Sequence, residues 1–159
     1  MTRVLLPCVA GLLVVPFLLA DEKAATPDKI EVRVLTILAS EHHAEVHKKL
    51  TNFAEEIQKT DKALTGFRLN KTDVRSIPLG ETTKFELAGG EVLEVTPNKP
   101  KDENGRITLT VKPPKLTPVT YECVCEKFVA LATQQRIGKD KEEERLFLAV
   151  SAKPCALKK

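Results

Sequence analysis

Only one stretch of this chain, residues 41–59, carries apolar side chains at the spacing of a helix. Five of them recur every three or four residues: Val46, Leu50, Phe53, Ala54 and Ile57. On a helix they would form one stripe, with charged side chains on the opposite face. Ser40 stands directly before the stretch and is a favourable helix N-cap. The pattern therefore predicts one amphipathic helix over residues 41–59, with its apolar stripe on a core.

The other apolar segments have the pattern of strands. Residues 30–38 are rich in β-branched side chains and become apolar on both faces, which is typical of a strand in the middle of a sheet. Ile107, Leu109 and Val111 alternate with polar residues, which predicts a strand with one buried face. Further strand patterns lie at residues 67–79, 83–87, 91–97, 119–132 and 145–152. The fold class is therefore α+β: one amphipathic helix packed on a largely antiparallel β-sheet of about six or seven strands.

The chain begins with the layout of a secretory signal peptide. Residues 4–20 form an uncharged apolar run that follows Arg3 and ends at Ala20, so cleavage is expected after Ala20. A retained membrane anchor is the alternative, because the run approaches the length of about 17–25 residues that a membrane-spanning helix needs. Cleavage would give an exported protein, periplasmic or extracellular, that is no longer attached to the membrane.

Residues 21–29 are polar and predict a flexible leader, and residues 30–159 have the length of a single domain. Removal of the signal peptide takes away one charged side chain, Arg3, so the 25 basic residues fall to 24 against 22 acidic ones. The two signs are mixed and form no basic block, which argues against nucleic acid as a partner. The sequence contains no Gly-x-Ser-x-Gly motif and no phosphate-binding glycine loop. We therefore expect a non-enzymatic protein without a cofactor, whose partner is another protein.

Every histidine of the chain lies within residues 40–47. His43 and His47 are four residues apart with Glu45 between them, whereas a zinc protease places the glutamate directly after the first histidine. On a helix, Glu45 would be turned by about 200° from either imidazole and would not reach a metal-bound water. His43 and His47 are candidate metal ligands, but a structural zinc site needs further ones. The favoured interpretation is that both are half-exposed polar residues and that no metal is bound.

Three cysteines follow the signal peptide: Cys123, Cys125 and Cys155. Export favours a disulfide, and Cys155 would pair with Cys123 or Cys125 if the last two strands are neighbours. Such a bridge would close a loop of about 30 residues and stabilise the fold by about 3–4 kcal/mol. Three buried thiols, or a metal or redox site, are the alternatives, although the Cys-x-x-Cys spacing of redox sites is absent. The acidic run at residues 142–144 is assigned to a solvated loop.

Five segments carry a resemblance to a known group of proteins: residues 34–40 (VLTILAS), 65–70 (TGFRLN), 76–95, 105–111 (GRITLTV) and 145–155 (RLFLAVSAKPC). In this order the chain resembles small exported bacterial proteins that have an Ile-Leu-Ala-Ser strand, a helix and then a strand meander. The resemblance implies the α+β fold and carries no activity, cofactor or functional residue. The expected function is that of an exported protein-binding or scaffold module of the cell envelope or periplasm. The alternative is an exported metal-binding or thiol redox protein that uses the cysteines.

Overall fold

The computed structural model describes residues 29–98, 106–122, 127–138 and 143–153. These residues form eight strands and one α-helix, so the α+β fold class is confirmed. In chain order the elements are β1 (Lys29–Ser40), α1 (Thr51–Thr60), β2 (Gly66–Pro78), β3 (Thr83–Glu86), β4 (Val92–Asn98), β5 (Thr108–Lys112), β6 (Val119–Glu122), β7 (Val129–Ile137) and β8 (Glu144–Lys153). Two short 3-10 turns, Lys48–Leu50 and Ala88–Gly90, precede α1 and join β3 to β4.

The strands form two antiparallel sheets instead of one. The first sheet has the order β2-β1-β8-β7, and the second sheet has the order β3-β4-β5-β6. The prediction of a single strand over residues 119–132 is wrong, because β6 pairs with β5 whereas β7 pairs with β8. The chain therefore leaves the second sheet after β6 and enters the first sheet at β7.

The larger core cluster lies between the two sheets. Ile30, Val32 and Val34 of β1 belong to the same buried cluster as Leu109 and Val111 of β5. Alternate residues of a strand point to opposite faces, so one face of each sheet supplies this core. The alternation predicted for residues 107–111 is thereby confirmed.

A second core cluster lies on the other face of the first sheet, under α1. Ile37 and Ala39 of β1 are fully buried in it, so β1 is apolar on both faces and lies in the middle of its sheet, as predicted. Phe53 of α1 contacts Phe67 and Phe147 edge to face, with ring centroids 6.4 and 6.3 Å apart. Edge-to-face packing is a favourable arrangement of aromatic rings, and it fixes the helix on the sheet.

The helix begins at Thr51, so its predicted start near residue 41 is wrong. Ser40 is the last residue of β1 and not a helix N-cap. The stripe formed by Leu50, Ala54 and their neighbours Phe53 and Ile57 does face the second core cluster, as predicted.

Residues 41–47 do not form a helix, because Glu45 and His47 hydrogen bond to β2. The Phe67 N–H donates to the Glu45 carbonyl at 2.8 Å, and the His47 N–H donates to the Phe67 carbonyl at 2.9 Å. These bonds form a parallel bridge between Val46 and Phe67. They satisfy backbone groups that a helix would otherwise pair, so tertiary pairing overrides the helical pattern in this segment.

Several predictions fall outside the described residues. These are the signal peptide with its cleavage after Ala20, the leader up to residue 28, and the disulfide of Cys155 with Cys123 or Cys125. The disulfide was expected because residues 119–132 were predicted to form one strand beside the last strand. Only β7 lies beside β8, whereas β6 pairs with β5 in the other sheet, so that expectation loses this support. Across the described ranges, no helix has both the length and the apolar character needed to cross a membrane.

Candidate functional site

An open cleft of about 820 Å³ lies where residues 41–47 run beside the ends of β1, β2 and β8. All three histidines of the chain, His42, His43 and His47, line this cleft, which we call the histidine cleft. Its other polar side chains are Ser40, Glu45, Arg68, Asn70 and Glu144. Its apolar lining consists of Leu38, Phe67, Ala88 and Ile137. The histidines that lie together in sequence are thus joined in space by charged residues from distant strands.

Thr65 and Gly66 hold the histidine-bearing segment in place. Thr65 donates its N–H to the Ser40 carbonyl at 2.9 Å and its hydroxyl to the His43 carbonyl at 2.7 Å. Gly66 lies against the His43 ring, and a Cβ at this position would be 2.1 Å from Nδ1 and 2.6 Å from the His43 carbonyl oxygen. Neither distance is sterically allowed, so this wall of the cleft requires a glycine at residue 66.

A carboxylate with two partners forms the charged part of the cleft. Glu144 has a side chain that is only 13% exposed, and its Oε2 accepts from Arg68 Nη2 at 2.5 Å. Its Oε1 lies 3.6 Å from His43 Nε2. A charge-assisted bond between guanidinium and carboxylate is among the stronger polar contacts in proteins. Arg68 and Glu144 therefore connect β2 to β8 at the end of the first sheet.

The remaining polar groups of the cleft are oriented by local bonds. The Ser40 hydroxyl accepts from the His42 N–H at 3.0 Å. His47 Nδ1 accepts from the Lys49 N–H at 3.3 Å and so caps the 3-10 turn before α1. A neutral imidazole that accepts at Nδ1 carries its proton on Nε2, so His47 can donate a hydrogen bond from that atom. Chemically, the cleft offers positioned donors and acceptors beside an apolar lining.

The structure brings His43 and His47 into one cleft, but not in the way the sequence predicted. The two are not one helical turn apart, because residues 41–47 do not form a helix. Helical rotation therefore does not turn Glu45 away from them, and Glu45 lines the same cleft. In the part of the chain that the structure describes, no three or more His, Cys, Asp or Glu residues are grouped so that they could hold a metal ion.

Sequence reasoning missed the two charged residues at the centre of the cleft. Glu144 was assigned with the rest of its acidic run to a solvated loop, yet it is the first residue of β8 and is largely buried. Arg68 belongs to an alternating strand pattern in which a basic residue is unremarkable. The two residues are 76 positions apart, and no local signal links them, because only the pairing of β2 and β8 with β1 brings them together.

A second cavity, of about 10 Å³, lies between the sheets beside Tyr121 and Val150. It is far smaller than the roughly 300–1,000 Å³ of ordinary ligand pockets. Burial raises the pKa of Tyr121, because desolvation disfavours the charged phenolate. This site is therefore part of the core packing, and the histidine cleft is the candidate functional site.

No protein-family model, no curated protein and no solved structure matches the chain.

Proposed function

We propose that the chain is an exported, non-enzymatic protein-binding module whose partner contacts the histidine cleft. Export is supported by the sequence of the first twenty residues, in which Arg3 precedes an apolar run that ends at Ala20. The expected location is the periplasm or the extracellular space. The expected partner is a protein, because the sequence contains no basic block and few aromatic residues, whereas nucleic-acid-binding proteins usually carry clustered basic residues.

The observation that carries the proposal is that one of the two acids of the cleft, Glu144, and its hydroxyl, Ser40, are engaged by neighbouring groups. Glu144 is ion-paired with Arg68 and lies 3.6 Å from His43 Nε2, and the Ser40 hydroxyl accepts from a backbone N–H. A nucleophilic hydroxyl is usually activated by a general base that accepts its proton, and neither of these contacts supplies such a base. Positioned polar groups beside an apolar lining suit recognition instead.

Photo-crosslinking tests the proposal directly. A photoreactive amino acid in place of His42, which is exposed in the wall of the cleft, should capture a discrete partner in the envelope fraction of the producing cells. The matched control carries the same amino acid in place of Glu55, which is exposed on the outer face of α1. Equal labelling from both positions, or no adduct from residue 42, would contradict the proposal.

The competing function is that of an exported metal-binding or thiol redox protein. Its thiols, Cys123, Cys125 and Cys155, lie outside the described residues, so chemical analysis must decide. Metal analysis of protein purified without a histidine tag should find no stoichiometric zinc or copper, and non-reducing peptide mapping should find Cys155 linked to Cys123 or Cys125. Three free thiols together with one equivalent of bound metal would favour the competing function.

A further inference from the structure

β3 (Thr83–Glu86) is an edge strand of the second sheet, with β4 on one side. The Leu87 N–H donates to the Glu91 carbonyl at 2.8 Å, directly after β3. The N–H and C=O groups of successive residues point alternately to the two sides of a strand. Because those of Leu87 point toward Glu91, the backbone groups of odd-numbered residues in β3 point toward β4 and those of even-numbered residues point away from it. The carbonyls of Lys84 and Glu86 therefore lie on the outer side of this edge.

Two long basic side chains from β2 occupy both of these carbonyls. Arg75 Nη1 donates to the Lys84 carbonyl at 3.0 Å, and Lys71 Nζ donates to the Glu86 carbonyl at 3.4 Å. The Arg75 guanidinium also stacks on the Phe85 ring, 4.9 Å from its centroid. Lys71 and Arg75 thus take the place that a neighbouring strand would have on this edge.

The edge itself is self-complementary. If two copies of β3 pair in antiparallel fashion about Phe85, Lys84 of each copy lies opposite Glu86 of the other. Both residues direct their backbone groups outward, so each Lys84–Glu86 pair would exchange two backbone hydrogen bonds. Opposite charges on directly facing residues also favour pairing. Both side chains are exposed, so they can meet without disturbing the core.

We propose that the β3 edge is a latent self-association surface and that Lys71 and Arg75 keep it closed. Natural proteins commonly protect edge strands with charged side chains, because an open edge is a template for pairing with another chain. Here the two side chains occupy the outward carbonyls, so a second copy would have to displace them. Lys71 is held in this position by an ion pair with Asp73 at 2.9 Å. The occupant that fits the open edge is β3 of a second copy. The surface uses none of the residues that line the histidine cleft.

The test is the double variant Lys71→Met with Arg75→Met, studied by sedimentation equilibrium over a wide range of concentration. The expected result is a folded protein whose average mass rises with concentration from that of one chain to that of two. The matched control, Lys59→Met with Lys62→Met, also loses two positive charges, at exposed positions in α1 and just after it. The control and the unaltered protein should keep the mass of one chain.

A third change tests the register. Glu86→Lys in the double variant places Lys84 opposite a lysine, so the mass should return to that of one chain. The additional change Lys84→Glu restores opposite charges and should restore the dimer. If the double variant does not fold, the single variant Arg75→Met takes its place in the test. It removes only one of the two protecting side chains, so it should dimerise more weakly. The proposal is overturned if folded variants lacking these side chains keep the mass of one chain, or if the unaltered protein already dimerises.

Discussion

Replacement of Gly66 by alanine is the most informative single perturbation of the histidine cleft. The new Cβ would lie 2.1 Å from Nδ1 and 2.3 Å from Cε1 of His43, and 2.6 Å from its carbonyl oxygen. The imidazole can rotate away, but the carbonyl is held by the Thr65 hydroxyl at 2.7 Å. We therefore expect the segment of residues 41–47 to move, with loss of that hydrogen bond and of the contact between His43 and Glu144.

The magnitude follows from these losses. Overpacking costs about 1–3 kcal/mol, and a lost hydrogen bond about 1 kcal/mol, so Gly66→Ala should lower the free energy of unfolding by about 2–4 kcal/mol. For a chain of this size that corresponds to a fall in Tm of roughly 5–15 °C. Denaturant and thermal melts measure both quantities.

A double-mutant cycle separates the two sources of the clash. In a His43→Ala background the ring is absent and only the clash with the carbonyl oxygen remains. The loss in free energy of unfolding caused by Gly66→Ala should therefore be about 1 kcal/mol smaller in that background than in the unaltered protein. Identical costs in the two backgrounds would show that the clash with the carbonyl oxygen accounts for the whole destabilisation. Unfolding free energies that agree within about 0.5 kcal/mol for Gly66→Ala and the unaltered protein would refute the packing argument altogether.

Three further predictions test the fold and export. Replacement of Leu50, which is 1% exposed, by alanine should lower the free energy of unfolding by about 2–4 kcal/mol, whereas Glu55→Ala should lower it by less than about 1 kcal/mol. Similar unfolding midpoints in urea for the two variants would contradict the assignment of the buried face. Because burial raises the pKa of Tyr121 above its ordinary value of 10.0, the folded state holds the phenolic proton longer than the unfolded state does, so stability should fall as the pH rises above about 10. Tyr121→Phe should remove that part of the alkaline loss, and the ultraviolet titration of this tyrosine should have its midpoint higher in folded than in unfolded protein. Amino-terminal sequencing of the exported protein should begin at Asp21, and an intact Met1 on a membrane-bound form would contradict cleavage.

The parts of the fold that sequence could predict are those determined by side-chain burial along one element. β1 was predicted as a middle strand because residues 30–38 become apolar on both faces, and it is covered by the second sheet on one side and by α1 on the other. The stripe from Leu50 to Ile57 was predicted for the same reason. In both cases the spacing of apolar residues indicates directly which side chains are buried.

The parts that sequence could not predict depend on pairing between distant segments. Ser40 and the residues after it have the pattern of a helix start, but hydrogen bonds from Phe67 hold Glu45 and His47 in an extended conformation. Residues 119–132 look like one strand, but β6 and β7 belong to different sheets. The ion pair of Arg68 with Glu144 likewise forms only when β1 lies between β2 and β8, so no local sequence pattern predicts it.

Charge reversal inside the histidine cleft tests the central claim most directly. Arg68→Glu would face the Glu144 carboxylate with a second negative charge at a pair now separated by 2.5 Å, and should disrupt the cleft while leaving the cores intact. The measurement is the yield of partner crosslinked through residue 42, compared between this variant and the unaltered protein at equal abundance. If the cleft is the partner-binding site, the yield falls several-fold with Arg68→Glu and is unchanged by Lys59→Met on the outer face of α1. An unchanged yield with Arg68→Glu, in protein shown to be folded, would contradict the account.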